Sequence, residues 1–317
     1  MSLMIQYQNL ETGDAFDITT LVKSAQWTTK RSGYPASLEL SVLDDPAVDW
    51  VCGGILTAQS GKEKLFYGYL FQIDLDEDGT VGLTAYDQTR YLKNKDTYVF
   101  TGKRADQIVA QIAADFRLKT GSLSGTGYAI PSMVEDGQTL FDIILKALDL
   151  TLINAGRMFY LWDDFGALRL SEVKASGELV VLGDESLATG YTYSVEIDSQ
   201  TSNKVKLVRD NKETGKRDVY LFQDSDNIKR WGVLQNYEKV DENWNAAQIT
   251  AQGDRMLALY NRPARSLELK AVSLPEVRAG KVVFVDLSSA GLKQPFLVEE
   301  ARHDLLEETM TLKVKVV

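Results

Sequence analysis

The sequence predicts an α+β chain that is mainly β, with a β unit at each end and a mixed α/β region between them. Three observations predict it. Apolar and polar residues alternate around an acidic turn at 70–86 and again near 296–316. Two intervening stretches, 103–117 and 139–156, switch to the spacing of an amphipathic helix. The chain has 317 residues, more than one core usually organises, so two or three domains are expected.

Residues 5–87 read as strands. In "SLELSVL" (37–43), Leu38, Leu40 and Val42 share one face. "LFQIDLDEDGTVGLTAY" (70–86) places Phe71, Ile73 and Leu75 before an Asp-Glu-Asp-Gly turn and Val81, Leu83 and Ala85 after it, the pattern of a hairpin. About five or six short strands in this span suggest a small barrel or sandwich. In "KRADQIVAQIAADFR" (103–117), Ala105, Ile108, Val109, Ile112 and Phe116 form a helical stripe. "LKTGSLSGTGYAIP" follows and reads as a loop. A second helix at 139–156 has a stripe of Leu140, Ile143, Ile144, Ala147 and Leu148, with Thr139 and Asp142 as a capping box and Gly156 as the stop. Residues 157–173 form a hairpin around Asp163-Asp164-Phe165-Gly166. "NKVKLV" (203–208) and "RDVYLF" (217–222) flank the turn "RDNKETGK". A third helix is expected at 241–260 with Asp241 as its cap, and strands at Val282–Val285, Phe296–Val298 and 310–316 close the chain. The closing hairpin echoes 70–86 in layout, an internal repeat by pattern and not by identity.

Composition removes several classes of function. Apolar residues are 44% and charged residues 25%, ordinary values for a globular protein. No run of apolar residues is long enough to span a membrane, and Met1 to Gln6 lacks the basic-then-apolar form of a signal peptide. Met1 to Leu3 stand ahead of a second methionine and read as an added tail. The single cysteine, Cys52, cannot form an internal disulfide, which fits a reducing cytoplasm; beside Val51 and Gly53 it reads as a small buried apolar residue. Net charge is −10, the reverse of a nucleic-acid binder's surplus, and the basic pairs Lys103-Arg104 and Lys229-Arg230 are isolated.

The search for chemistry returns little. "DLDEDG" (74–79) opens like a calcium loop, but its twelfth position is Ala85 where a clamping Glu belongs, so it reads as an acidic turn. The Gly-Lys pairs at 61, 102, 215 and 280 are followed by Glu63, Arg104, Arg217 and Val282, not by the Ser or Thr of a phosphate loop. One histidine, His303, rules out a His-based zinc site, and no Gly-x-Ser-x-Gly elbow offers it a nucleophile; it reads as a hydrogen-bonded structural residue. Paired carboxylates could serve a glycosidase, but Asp44-Asp45, Asp163-Asp164 and Glu299-Glu300 fall in or beside turns and read as solvated. Asp87, Arg90, Lys93 and Lys95 read as polar punctuation of a domain junction. Trp27, Trp50, Trp162, Trp231 and Trp244 are scattered and read as packing. No catalytic, cofactor-binding or metal residue is assigned.

The ordered set of segments resembles a known family. "AYDQTRYLKNKDTYVF" (85–100) followed by "RADQIVAQIAADF", the opening "FDITTLVKSAQWTTKRSGYPASLELSVL", the stretch "SNKVKLVRDNKETGKRDVYLFQDSDNIKRWGVLQNYEKVDE" and the ending "FLVEEARHDLLEETMTLKV" together resemble the XkdQ/YqbQ family of PBSX-like prophage tail proteins. The resemblance covers essentially the whole chain and extends to the central hub of contractile-phage baseplates and to VgrG-type spike bases. It implies two tail-tube-like antiparallel β-barrels, at 1–92 and 191–317, around a mixed α/β domain at 93–190, with a helix near 241–260 inserted in the second barrel. It implies a homotrimeric baseplate hub, not an enzyme. Such a hub joins a hexameric tail tube to a trimeric spike in the baseplate of a virion or tail particle, and is synthesised in the bacterial host cytoplasm. The implied partners are the tail tube protein, the central spike, and tape-measure and LysM-type tail proteins, with no sequence-specific nucleic-acid binding and no membrane insertion. No cofactor is implied. Two other readings are a tail-associated peptidoglycan hydrolase using a carboxylate pair and a carbohydrate-binding adhesin; that no catalytic module follows the last strand speaks against the first.

Overall fold

The computed structural model describes residues 3–175, 177–211 and 214–316. Met1 and Ser2 of the supposed tail, and Lys212 and Glu213 of the predicted turn, lie outside them. Seven strands come first: β1 (Leu3–Gln8), β2 (Ala15–Asp17), β3 (Val22–Lys30), β4 (Ser37–Leu43), β5 (Ile55–Ser60), β6 (Glu63–Leu75) and β7 (Thr80–Tyr86). The middle holds β8 (Lys95–Arg104), α1 (Ala105–Asp115), β9 (Thr120–Leu123), β10 (Ala129–Thr139), α2 (Leu140–Ala155), β11 (Phe159–Asp163) and β12 (Leu168–Glu172). Then come β13 (Val180–Gly183), β14 (Ala188–Glu196), β15 (Lys204–Asn211), β16 (Lys216–Gln223), α3 (Ser225–Trp231), β17 (Gln235–Lys239) and α4 (Ala246–Tyr260). Last are β18 (Ala264–Val272), β19 (Val282–Leu287), β20 (Leu292–Asp304) and β21 (Thr309–Val316).

The terminal units are mainly antiparallel, as expected, but neither closes into a barrel among the described residues. They form one continuous 13-stranded sheet in the order β14-β18-β21-β20-β3-β4-β7-β6-β5-β1-β2, with β19 pairing β20 off this path and β13 pairing β19. The two-barrel expectation is corrected for a physical reason. A barrel must pair its own first and last strands, whereas here β3 spends its outer edge on β20, the central strand of the other unit, with Gln26–Lys30 opposite Asp304–Glu300.

The internal repeat is present in the ladders. One unit runs β1-β5-β6-β7-β4-β3 and the other β13-β19-β20-β21-β18-β14, and the strands follow one another along the chain in the same sequence. Leu38, Leu40 and Val42 pair with Ala85, Leu83 and Val81; their counterparts Leu267, Leu269 and Ala271 pair with Val314, Leu312 and Met310. Both units carry a bulge at the same place in two ladders: at Lys23 and Thr189, and at Phe71 and Glu299. Even the turn before β5 recurs before β19. Gly53 and Gly280 both have φ of 90°, and each donates its amide to β6 or β20, at Leu70 and Val298 respectively. The units differ at the outer strand, which is antiparallel for β1–β5 and parallel for β13–β19.

The central body draws on two separate stretches of chain. β8 pairs β10, and β9-β12-β11 and β16-β15-β17 form two three-stranded sheets. The stripes predicted for α1 and α2 are buried, except that Phe116 is only partly so, and they share one cluster with Val205 and Leu207 of β15 and Ile249 and Met256 of α4. The segment between β14 and β18 thus packs with the middle of the chain. α2 has the predicted ends: the Thr139 side chain accepts the Asp142 amide at 3.1 Å, and Gly156 stops it at φ 65°. α4 starts later than expected, because Asn245, not Asp241, forms the capping box with Gln248; Asp241 instead accepts the Ser132 hydroxyl at 2.9 Å.

Candidate functional site at the three-way junction

The stretch after β7 is where the three bodies meet. Asp87 caps the short turn Gln88–Lys93, accepting the Thr89 amide at 3.0 Å and the Thr89 hydroxyl. Gln88 reaches into the central body, donating to Asp163 Oδ2 at 2.7 Å and to the Lys119 carbonyl at 3.2 Å, while its own oxygen accepts the Lys119 amide at 3.1 Å. Asp163 ends β11 and accepts the Gly166 amide at 2.7 Å. Arg278 arrives from the β18–β19 connection. Its guanidinium lies 4.3 Å from the Trp162 ring centre and 5.7 Å from that of Trp27, and its Nε is buried without a hydrogen-bond partner.

Asp87 and Asp163 are both buried, 3% and 5% exposed. Burial, and then the charge of Asp163, push the Asp87 carboxyl up to about 7, against the pull of Thr89 and Arg278. Burial raises Asp163 as well, opposed by Gly166 and Gln88, and burial lowers Arg278. Two buried carboxyls therefore face one guanidinium, and the cluster holds a proton through mildly acidic pH. The space among them is about 20 Å³, room for one water and not for a sugar ring. Through Gln88 and the Gly166 amide the cluster ties the turn after β7 to the end of β11.

His303 lies behind it on β20, fully buried. Its Nε2 is 2.8 Å from the Val277 carbonyl, which can only accept, so Nε2 carries the proton and Nδ1 accepts the Ser273 hydroxyl at 2.8 Å. Its ring stacks on Trp27 at 5.0 Å across the β3–β20 joint. Burial, with Arg278 adding to it, lowers its pKa to about 4, although the bond to Val277 pulls the other way.

On the outer side a cleft of about 530 Å³ opens, lined by Tyr67, Tyr69, Tyr91, Phe165, Gln88 and Lys119. Tyr67 and Phe165 lie 5.6 Å apart and carry the N-terminal unit onto the central body.

Several readings from sequence need correction. Arg90 and Lys93 lie over the Phe71 and Tyr34 rings, and Lys95 is exposed at the start of β8; Asp87 alone of the four turns inward. Asp163 is buried where a solvated turn was expected: the turn after β7 folds over it, and it accepts from Gln88 and from the Gly166 amide. Glu299 is no turn residue either: it sits at the β20 bulge, held by Arg31 at 2.9 Å and Lys315 at 2.8 Å. Cys52 is exposed, since the left-handed backbone of Gly53 turns the chain outward beside it. The acidic turn at 76–80 is as expected, closed by Asp76 on Thr80. Among the described residues no group of three or more His, Cys, Asp or Glu is placed to hold a metal. No helix of the described residues is long and apolar enough to cross a membrane. Sequence reasoning missed Arg278: nothing in "PEVRAGK" separates it from a surface cation.

Comparison with known proteins agrees with this architecture. The tail protein from Neisseria meningitidis MC58 shares the fold with a TM-score of 0.73 at 13% identity, covering 100% of this chain and 97% of that one. The E. coli c3393 protein, described as a component of the type VI secretion system with structural similarity to T4 tail proteins gp27 and gp5, gives 0.57 at 9% identity over 92% and 73%. The Phage-like element PBSX protein XkdQ of Bacillus subtilis (strain 168) is 38% identical over 266 residues, 82% of this chain and 80% of its own length. Since the YQBQ-like family matches residues 25–316 as well, the chain belongs to that family.

Proposed function

We propose that this chain is the structural hub of a phage or phage-like tail baseplate, three copies of which form a ring that joins a hexameric tail tube to a trimeric spike. The observation that carries the reading is the duplicated β unit, joined edge to edge in one sheet. Three copies with two equivalent units each present six similar surfaces to a sixfold partner. The central body occurs once per copy, so the opposite partner meets threefold symmetry. Similarity to XkdQ and to tail proteins supports the tail role, and the likeness to c3393 supports a spike on one side. The buried Asp87–Asp163–Arg278 cluster serves this role by fixing the angle between units, not by turning over a substrate. The excess of acids over bases, 45 against 35, suits a channel through which DNA passes without sticking. A basic lumen in the assembled ring would remove that last element.

Light scattering after size exclusion tests the ring. The expected mass is three times that of the 35.4 kDa chain. A stable dimer cannot build a threefold adaptor and would overturn the reading.

A further inference from the structure

We infer that copies of this chain join through one specific strand pair, the free edge of β14 in one copy against the second half of β6 in the next, in the register set by the β3–β20 joint inside each chain. The inference rests on the ring reading above and names the surfaces that make the ring.

The repeat dictates it. β20 leaves β19 after Leu297 and turns its remaining residues, Glu300–Asp304, to β3. Its counterpart β6 leaves β5 after Tyr69, at the matching bulge, but among the described residues its remaining residues find no strand partner on that side. β3 in turn has its counterpart in β14, which pairs β18 and, among the described residues, nothing else. Each chain thus satisfies one joint internally and keeps both halves of a second, equivalent joint open, on strands that lie in different units.

Corresponding positions can be read from the shared ladders. Trp27 is opposite Leu38, and Tyr193 is opposite the counterpart Leu267. His303 is opposite Met310, and Leu75 is opposite the counterpart Val81. The internal pairs Ala301–Thr29 and His303–Trp27 therefore become Ile73–Val195 and Leu75–Tyr193 between copies. Leu75 and Val195 among these are left outside, and Ile73 and Tyr193 are only half-buried against their own cores. Leu75 is 73% exposed although its alternation points it inward, and Val195 is 56% exposed. The Arg31–Glu299 ion pair at the internal bulge becomes Ile197–Phe71, so a charged clasp is replaced by an apolar one. β14, "ATGYTYSVE", holds no Lys or Pro to guard a nine-residue edge, which is how an edge built to be covered reads. Because the two surfaces differ, the contact is head to tail and must close into a ring or polymerise.

Paired cysteines test the register. Asp74 and Ser194 would face each other at a position without mutual backbone hydrogen bonds, where side chains approach closely. Both are exposed in the single chain, so neither change removes a core contact. In a Cys52→Ala background, Asp74→Cys with Ser194→Cys should oxidise to covalent species ending at three chains, while Asp74→Cys with Val195→Cys, on opposite faces, should not. Leu75→Glu should shift the trimer to monomer without changing the circular dichroism of the fold. A wild-type trimer whose Asp74→Cys, Ser194→Cys variant stays uncrosslinked overturns this joint and leaves the hub reading standing. A protein that is monomeric by light scattering and uncrosslinked overturns the joint and removes the ring with it.

Discussion

Two buried titratable residues set opposite demands on pH. The folded pKa of His303, about 4, lies below the ordinary histidine value. Its contribution is complete above pH 6.5 and is lost as pH falls from 6.5 towards 4, to a limit of roughly 3 kcal/mol. Asp87 is raised to about 7, so its contribution is complete below the ordinary carboxyl value and is lost as pH rises through 7. Urea unfolding from pH 4 to 8 should separate them. His303→Gln should flatten the acid limb. Asp87→Asn keeps the acceptor for Thr89 and should stabilise the protein at pH 8, by on the order of 2 kcal/mol, with little change at pH 4. An Asp87→Asn variant less stable at pH 8 would mean that the carboxylate and Arg278 form a net favourable pair. His303 was legible as a structural residue because one histidine without a nucleophile has few alternatives. The burial of Asp87 and Asp163 was not, because a charge beside a turn looks the same whether the chain folds over it or away from it. Leu75 looked like core by alternation, and its exposure follows from a missing strand that no local pattern contains.

The glycines before β5 and β19 allow a controlled comparison at the level of single elements. Both Gly53 and Gly280 have φ of 90°. A β-carbon at 53 meets nothing within 4 Å, whereas at 280 it would lie 2.1 Å from the Tyr160 ring. Gly53→Ala should therefore cost only backbone strain, on the order of 1–2 kcal/mol, and Gly280→Ala should add a steric penalty for about 3 kcal/mol or more. Chemical denaturation of the two variants measures both terms, and equal losses would argue against the close packing of the β19 turn on β11. The helices α1 and α2 and the hairpins β6–β7 and β11–β12 were legible because each is specified by its own periodicity and caps. β9 and the start of β10 were read as a loop: "TGSL" has no strand propensity of its own and is a strand only because β12 lies alongside it. α3 was missed because its seven residues are too few to show a period, although Asp224 caps it by accepting the amides of Asp226 and Asn227.

For the whole molecule, the decisive feature is that nearly every body is finished by chain from far away. The acidic hairpin echo at 70–86 and 296–316 disclosed the duplication, but not that β3 would pair with β20. That pairing links positions separated by most of the sequence, and no short-range signal encodes it. The central cluster likewise needs Ile249 and Met256 from α4 beside the stripe of α1 and α2. Circular dichroism and tryptophan fluorescence should thus report a single, coincident unfolding transition, and separate transitions would show that the units stand independently. On the ribosome, the same arrangement means that synthesis past residue 250 leaves the helices of the middle still uncovered, and β3 waits longer still. With so many contacts of high sequence separation, folding is slow and the nascent chain exposes apolar faces for much of its production. Yield in a cell would then depend on chaperone supply more steeply than the finished protein's stability suggests.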